Sequence, residues 1–275
     1  MFACCGYTSP FRRKRKAGVR GVEVNRMDAH GHPGSDAIQK LLDNNRRWAS
    51  EKAEADPEFF PKCAKGQSPE YLWIGCSDSR VVTNIVTGLE PGEIFTHRNV
   101  GNIVTHADLN CMSVVEYAVH HLKVKHVIVC GHYGCGACKA ALSLPSASAG
   151  LVNSWISHIR DVRNQWAEEL KSLEGEEQAR RLVQLNTVQQ TFHMCTSPPI
   201  QAAWASGQEV YVHGMIYDLA DGALHNLLGP IASMDDLTHL EPAAEYTGVS
   251  VDKDLDDKLW KQIDKVSTFE RAAVA

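Results

Sequence analysis

The stretch Tyr71-Leu-Trp-Ile-Gly-Cys-Ser-Asp-Ser-Arg80 decides the fold of this chain, together with a second stretch, His126-Val-Ile-Val-Cys-Gly-His-Tyr-Gly-Cys-Gly-Ala-Cys138. Each begins as a short apolar run and ends in small or polar residues, which is typical of a buried parallel strand followed by a loop. Functional groups gather at the carboxyl ends of parallel strands. We therefore expect Cys76, His132 and Cys135 to converge if the two strands are neighbours.

Two thiolates and one imidazole make the donor set of a catalytic zinc site. The thiolates cancel the charge of Zn²⁺, and the fourth tetrahedral position is left for a water molecule, whose pKa the metal lowers from near 16 to about 7. We expect Asp78 either to accept a hydrogen bond from the resulting hydroxide or to displace it as the fourth ligand. Arg80 decides between the two states, since a guanidinium can clamp the carboxylate bidentately and hold it off the metal.

Two other interpretations use only part of this pattern. Cys135-Gly-Ala-Cys138 also has the spacing of a redox pair, and Asp78 and Arg80 can form a purely structural ion pair. The zinc interpretation accounts for Cys76 and His132 as well, and it leaves Cys138 as a small apolar residue on the following helix.

Four motifs in order make the chain resemble a β-class carbonic anhydrase of the fungal or bacterial type. They are C-S-D-S-R at 76–80, H-R-N-V-G-N at 97–102, S-V-V-E-Y-A-V at 113–119 and G-H-Y-G-C-G-A at 131–137. The resemblance extends from about residue 35 to about residue 229. It implies an α/β fold with a mainly parallel central sheet flanked by helices, one Zn²⁺ per subunit, and a homodimer or dimer of dimers. It also implies reversible hydration of carbon dioxide to bicarbonate by attack of zinc-bound hydroxide.

The resemblance assigns roles residue by residue. The metal ligands are Cys76, His132 and Cys135, with Asp78 as an alternative fourth ligand and Asp78 and Arg80 as the gating pair. Substrate contacts are assigned to the side chain of Gln67, to an apolar pocket, and to backbone N–H groups near Gly136. The apolar pocket residues are Phe95, Val100 and Tyr117. In this family the pocket lies between subunits, so some of these side chains are expected to come from the partner.

A further set coincides with the bicarbonate-regulated branch of the family, where a second, non-catalytic pocket binds bicarbonate. Its members here are Trp73, Gly75, Arg98 and Tyr117. The small Gly75 leaves room for the anion, and bicarbonate there is expected to help break the Asp78–Arg80 clamp and close the enzyme. The alternative is that Trp73 and Tyr117 are core aromatics and Arg98 forms a structural salt bridge.

Other functions remain open on the residues alone. A related zinc hydrolase acting on carbonyl sulfide or carbon disulfide would use the same ligands, and a non-catalytic zinc protein would keep Asp78 as a permanent fourth ligand. Candidates for proton transfer are His97, His106 and Tyr117.

The composition is that of an ordinary globular protein: 275 residues, 44% hydrophobic and 22% charged, with a formal net charge of −5. This charge gives no indication of nucleic-acid binding, and no apolar run approaches the roughly 18 residues of a membrane helix. Nine cysteines without a signal peptide favour a reducing compartment and a cytoplasmic location.

Three regions are expected along the chain. Residues 1–34 form a basic, disordered tail, in which Cys4, Cys5 and the basic cluster Phe11–Lys16 can act as an acylated, peripheral membrane contact; a mitochondrial transit peptide is the other alternative. Residues 35–230 form the enzyme domain, beginning with a helical arm, and residues 231–275 form an acidic C-terminal extension.

The expected elements follow from hydrophobic periodicity. Strands are predicted at 71–76, 126–130 and 210–217. The segment from Pro91 to Asn99 is predicted to form a turn followed by a further strand. Helices are predicted at about 35–55, at 106–122, from Gly136, and two or three times between 153 and 206. The apolar face of the first helix is expected to pack on a partner subunit or on its own domain. His213 is expected to be a hydrogen-bonded core residue and not a ligand.

Overall fold

A five-stranded sheet carries the fold in the computed structural model, which describes residues 35–144 and 150–238. The strands are β1 (Tyr71–Cys76), β2 (Ile94–Asn99), β3 (His126–His132), β4 (Tyr211–Tyr217) and β5 (Leu224–Ile231), in the spatial order β2-β1-β3-β4-β5. The first four are parallel, and β5 runs antiparallel to β4. The predicted α/β fold with a mainly parallel sheet is confirmed.

The described residues also form ten α-helices. They are α1 (Ser35–Ala55), α2 (Phe59–Lys65), α3 (Thr83–Thr87), α4 (Leu109–Glu116), α5 (Gly136–Leu142), α6 (Leu151–Trp155), α7 (Ser157–Gln165), α8 (Ala167–Lys171), α9 (Gly175–Cys195) and α10 (Pro198–Ala205). A π-helical segment covers Tyr117–Leu122, and a 3₁₀ turn covers Asp236–Thr238. Among the described residues, the chain divides into two compact units with the boundary between Phe60 and Pro61. No described helix is long and apolar enough to cross a membrane.

Helix α9 lies directly on β3 and β4 because two strand positions are glycines. A Cβ atom on Gly131 would be 2.2 Å from the Thr187 hydroxyl oxygen, and one on Gly214 would be 2.7 Å from the Thr191 hydroxyl oxygen. Such distances are impossible for real side chains. The close approach of α9 to the strand that ends at His132 is therefore built into the sequence.

The sequence predicted most elements correctly, with differences at their ends. The helix predicted at 106–122 begins at Leu109, because the Asp108 side chain accepts a hydrogen bond from the Asn110 N–H and caps it. Strand β3 continues two residues beyond the prediction, to His132.

Two predictions about the second half were incomplete. The region 153–206 contains parts of five helices and not two or three. Two of the breaks fall at Ile156 and Trp166, which are buried and apolar, so the apolar periodicity continues across them and gave no sign of the interruption. Strand β5 was missed, since it is an edge strand that ends in Leu-Gly-Pro-Ile and lacks clear alternation. The buried Leu237 joins the main core, so packed structure continues past residue 230. The predicted tail at 1–34 and the segment from 239 onward lie outside the described residues.

A histidine pair closes the amino-terminal edge of the sheet. The Nδ1 atom of His126 and the Nε2 atom of His213 lie 3.1 Å apart. The His126 ring stacks between Tyr71 and Tyr211, at 5.5 Å from each. His213 is thus hydrogen-bonded, as expected. Burial, and then the neighbouring His126, lower the pKa of His213 from 6.5 to about 4.

This pKa makes the protein less stable in acid. The unfolded chain takes up a proton at His213 near pH 6.5 and the folded chain only near pH 4, so stability is lost as pH falls between these values. For this half-buried group we expect a loss of about 2 kcal/mol. Urea unfolding at about pH 7.5 and pH 4.5 checks this against His213→Gln, which cannot titrate. An equal acid loss in both proteins would contradict the prediction.

Candidate metal centre

Three buried side chains from two strand ends meet at the carboxyl edge of the sheet. The Sγ atoms of Cys76 and Cys135 and a ring nitrogen of His132 all lie within 4.8 Å of one another, and the two sulfurs are 4.0 Å apart. Each residue is at most 5% exposed. The convergence expected from the sequence is therefore present.

Strand pairing explains why the chain brings these residues together. β1 and β3 are neighbours in the sheet with Gly75 opposite Cys130, so Cys76 and His132 leave the sheet side by side. Gly134 then turns the chain with a φ of +71°, a conformation that favours glycine. Cys135 follows as the residue that precedes α5.

The imidazole is oriented as a metal ligand should be. The Nδ1 atom of His132 lies 3.0 Å from the carbonyl oxygen of Tyr133. A proton on Nδ1 leaves Nε2 as an acceptor, and Nε2 is buried without a hydrogen-bond partner among the described residues. A buried nitrogen of this kind normally has a partner, and a ligating histidine normally donates its other N–H to such a carbonyl.

The two thiols complete a set that fits zinc. Contact with Cys135 and burial raise the pKa of Cys76 to about 12, and contact with Cys138, together with burial, raises that of Cys135 to about 12. A bound dication reverses this effect, because coordination stabilises the thiolate. Two sulfurs and one imidazole nitrogen are ligands that Zn²⁺ prefers.

Asp78 and Arg80 form a bidentate pair beside the ligands. The Nε and Nη2 atoms of Arg80 donate to the two carboxylate oxygens at 2.9 and 2.8 Å, and the Arg80 backbone N–H donates at 3.0 Å. These bonds hold the pKa of Asp78 far below its usual value. The Oδ2 atom of Asp78 is 3.9 Å from Nε2 of His132, so the clamped carboxylate faces the ligand set.

Arg98 ties down the backbone of the same loop. It donates to the carbonyl oxygen of Cys76 at 2.8 Å and to that of Asp78 at 2.6 Å. The sequence left a structural salt bridge open for Arg98, whereas the hydrogen bonds described for it go to carbonyl groups. Arg98 therefore connects the backbone of Cys76 to the backbone of Asp78.

The residues predicted to contact substrate lie in more than one place. The rings of Phe95 and Tyr117 are 5.9 Å apart, and Val100 accepts a hydrogen bond from Trp155 through its carbonyl oxygen at 2.7 Å. Gln67 lies in an open cavity of about 540 Å³, whose lining includes none of the three metal ligands. The space beside the Cα of Gly136 is open.

The predicted bicarbonate pocket differs from the expectation at Gly75. A Cβ atom there would lie 2.2 Å from the indole nitrogen of Trp73, so the indole itself occupies the space beside the glycine. Trp73 is fully buried and its Nε1 has no hydrogen-bond partner among the described residues. Tyr117 stacks with His121 at 5.4 Å, while Trp73 packs in a cluster that includes Tyr217.

The candidates for proton transfer have different surroundings. His97 is 7% exposed, and burial lowers its pKa. His106 is exposed, and its Nε2 lies 2.8 Å from the carbonyl oxygen of His193. Tyr117 is 45% exposed. Exposure favours His106 and Tyr117 over His97 as groups that exchange protons with solvent.

Sequence reasoning missed two residues next to the site. The Tyr133 ring is covered by the guanidinium group of Arg180, at 3.5 Å from the ring centroid. Tyr133 follows a ligand directly, which is a signal in the sequence. Arg180 carries no such signal, because only the packing of α9 brings it there.

Comparison with known proteins identifies the family. The carbonic anhydrase family model matches residues 71–224. A carbonic anhydrase of Emericella nidulans is 47% identical over 189 residues, which make up 68% of this chain and 82% of the relative. The β-carbonic anhydrase of Coccomyxa, solved in complex with acetazolamide, has a TM-score of 0.72 and 48% identity and covers 75% of this chain and 93% of its own. A tetrameric β-carbonic anhydrase of Sordaria macrospora has a TM-score of 0.66 and 41% identity, and the match covers 70% of this chain and 97% of the Sordaria chain.

The chain belongs to the β-class carbonic anhydrases. It is a zinc-dependent lyase that interconverts carbon dioxide and bicarbonate, and its Cys76, His132 and Cys135 cluster is compatible with that metal. Hydrolysis of carbonyl sulfide or carbon disulfide and zinc binding without catalysis, the two alternatives raised by the sequence, are not favoured.

Removing one sulfur tests the ligand set. We expect Cys135→Ser to reduce the zinc content from about one ion per chain to less than a tenth, because an alcohol is a poor zinc ligand. Metal analysis of the purified protein measures this. Cys138→Ser is the matched control, since Cys138 is equally buried and is not in the cluster. Loss of zinc from the control with retention in Cys135→Ser would contradict the assignment.

Proposed function

We propose a division of labour for carbon dioxide hydration in which Cys76, His132 and Cys135 hold zinc and Asp78 orients the attacking water. Zinc, when bound, supplies the Lewis acidity that makes a water molecule nucleophilic near neutral pH. The observation that carries the assignment is the position of Asp78. Its Oδ2 lies 3.9 Å from Nε2 of His132 while Arg80 holds the carboxylate.

Asp78 acts as a hydrogen-bond acceptor in this proposal. Paired with Arg80, the carboxylate is ionised and can only accept hydrogen bonds. An acceptor fixed beside the ligand set points a lone pair of the water toward the substrate, which removes most of the orientational cost of attack. The clamp by Arg80 also keeps Asp78 from becoming a permanent fourth ligand. In a non-catalytic zinc protein this clamp would be absent and Asp78 would stay on the metal.

Carbon dioxide is assigned to the apolar pocket of Phe95, Val100 and Tyr117. The substrate is linear and apolar, so it needs an apolar surface and no charged clamp. Gln67 and the backbone N–H groups near Gly136 are assigned to orient its oxygen atoms, and the proton released is passed to buffer. The exposure of Val100 at 39% and of Tyr117 at 45% supports a pocket that a second subunit completes.

The oligomer we propose is a homodimer or a dimer of dimers. The apolar face of α1 supports it, since Ile38 and Leu41 are each 60% exposed and Trp48 is 41% exposed. Removing such an apolar face from contact with water is strongly favourable. The Sordaria macrospora relative is described as tetrameric. A chain that sediments as a monomer at micromolar concentration would contradict this proposal.

We place the enzyme in the cytoplasm. The support is the set of cysteines without disulfide partners among the described residues, which suits a reducing compartment. Cys4, Cys5 and the basic cluster lie outside the described residues, so peripheral membrane contact and a mitochondrial location stay predictions.

Regulation by bicarbonate is proposed to act through Trp73 and Arg98. The unpartnered indole N–H of Trp73 suits an anion. An anion that also engaged Arg98 would compete with the carbonyl groups of Cys76 and Asp78, to which Arg98 now donates. Release of this loop would let Asp78 leave Arg80 and block the position that the attacking water needs.

Replacing the carboxylate tests the catalytic role. Asp78→Asn is expected to lower kcat/KM for carbon dioxide about 100-fold, because the amide cannot accept in the same way and is no longer held by Arg80. Stopped-flow hydration with parallel zinc analysis measures it. Asp161→Asn, an exposed carboxylate change, is the control. Full activity of a zinc-loaded Asp78→Asn protein would overturn the proposal.

Removing the indole N–H tests the regulatory role. We expect Trp73→Phe to raise the bicarbonate concentration for half-inhibition about tenfold, since the variant lacks the donor. Initial rates at several bicarbonate concentrations measure this, each compared with the rate of the same variant at low bicarbonate. Tyr71→Phe, in the same cluster, is the control. Gly75→Ala should act in the same direction, because its methyl group would displace the indole. Unchanged inhibition in both variants would refute the pocket.

A further inference from the structure

The loop between two of the metal ligands is anchored by one aromatic side chain to helix α9, which lies far from it in the sequence. Tyr133 lies between His132 and Cys135 in the sequence and is 4% exposed. The guanidinium carbon of Arg180 on α9 is 3.5 Å from its ring centroid. Its hydroxyl oxygen accepts a hydrogen bond from Nε2 of Gln184, also on α9, at 2.7 Å. Both the face and the tip of the ring are thus held by the same helix.

Each of these two contacts is itself fixed by a charged group. Nη2 of Arg180 donates to Oδ2 of Asp218, which follows β4, at 3.1 Å. Nη1 of Arg181 donates to the side-chain oxygen of Gln184 at 3.0 Å, and Arg181 is also paired with Glu169. The two carboxylates are largely buried, with side-chain exposures of 12% for Asp218 and 11% for Glu169. The hydrogen bond to Asp218 fixes the plane of the Arg180 guanidinium group as it lies over the ring.

The backbone of Tyr133 transmits this anchoring to the ligand. The Tyr133 N–H donates to the carbonyl oxygen of Tyr217 at 3.0 Å. Its own carbonyl oxygen lies 3.0 Å from Nδ1 of His132. After the turn at Gly134, the Gly134 carbonyl oxygen is 3.4 Å from Nη2 of Arg80. The direction of the Tyr133 carbonyl is thus set by a strand on one side and by α9 on the other.

We propose that Tyr133, held against α9 by Arg180 and Gln184, is a positioning residue that directs the Nε2 atom of His132 toward the two sulfurs and thereby slows the loss of zinc. The inference rests on the proposed role of His132 as a ligand. Its physical basis is that a ligating imidazole is oriented by the group that accepts its other N–H. When that acceptor moves, the ring can rotate and the metal site loosens.

A role in core packing alone makes a different prediction. If the Tyr133 ring only filled space, removal of the Arg180 guanidinium would change stability slightly and leave the metal site unaltered. If the ring positions the ligand, the same change alters the metal site even where the fold is intact. The rate of zinc loss and the electronic spectrum of a substituted metal separate the two roles.

The experiment uses the zinc-loaded full chain and five variants, the fifth being Arg180→Lys. Arg180→Gln removes the stacked cation, and Tyr133→Phe keeps the ring but removes the bond to Gln184. Glu176→Gln is the matched control: Glu176 lies on α9 like Arg180, and the change breaks only its exposed ion pair with Lys139 of α5. His132→Gln is the reference for loss of a ligand. Zinc release to a coloured chelator is followed at fixed pH, and thermal unfolding confirms that each variant is folded.

We expect Arg180→Gln to release zinc at least about tenfold faster than the unaltered chain, with Tyr133→Phe between the two and Glu176→Gln unchanged. With Co²⁺ in place of zinc, the visible absorption bands of Arg180→Gln are expected to shift, since these bands report ligand geometry. Arg180→Lys should restore little, because an ammonium group keeps the charge near Asp218 without the planar stacking.

A failure of the positioning role can be distinguished from a failure of the ligand assignment. Zinc release and cobalt spectra in Arg180→Gln and Tyr133→Phe that match the unaltered chain would overturn the positioning role, with the ligand set intact. Zinc retention in His132→Gln equal to that of the unaltered chain would overturn the ligand set itself. Should Arg180→Gln fail to fold, Tyr133→Phe decides the matter, because it removes only one oxygen atom.

Discussion

Two thiols and an imidazole nitrogen that has no hydrogen-bond partner among residues 35–144 and 150–238 lie within 4.8 Å of one another inside the protein, and the rest of the structure depends on this arrangement. Contact with a neighbouring thiol, Cys135 for Cys76 and Cys138 for Cys135, raises the pKa of both groups together with burial, so the thiols stay protonated without a cation. A bound dication would stabilise the thiolates and take the free lone pair of the imidazole. The fold therefore holds three donors in an arrangement that fits a metal ion.

The sheet and its glycines supply the rigidity that such a site needs. β1 and β3 deliver ligands from adjacent strand ends, and Gly131 lets α9 press directly on β3. Because α9 is so close, its side chains reach the loop that follows β3. An added methyl group between β3 and α9 would push the helix outward, and the loop that carries two of the three ligands would move with it.

Charge on the loop after β1 is arranged in a chain of competing contacts. Arg80 holds the carboxylate of Asp78, and Arg98 holds the carbonyl groups of Cys76 and Asp78. The carboxylate lies between a guanidinium that binds it and the predicted ligand His132, whose Nε2 is 3.9 Å away, and we propose that it exchanges between Arg80 and a bound metal. A small anion that alters one of these contacts can change the balance, and this is the physical basis of the proposed regulation.

The sequence by itself determined the parallel sheet, the positions of four strands and the ligand set. Hydrophobic runs that end in small residues indicate buried strands, and the choice of Cys, His and Cys at their ends indicates the metal. It could not predict β5, whose weak alternation lies in an edge strand, or the breaks at residues 156 and 166, where apolar periodicity continues across the interruptions. Only the tertiary structure decided that the Trp73 indole lies against Gly75, that Arg98 bonds to carbonyl groups, and that Arg180 stacks on Tyr133. The contacts of Arg98 and Arg180 join segments far apart in sequence, so no local pattern encodes them. The side-chain direction of Trp73 is set by the packing around the buried indole and not by its neighbours in the sequence.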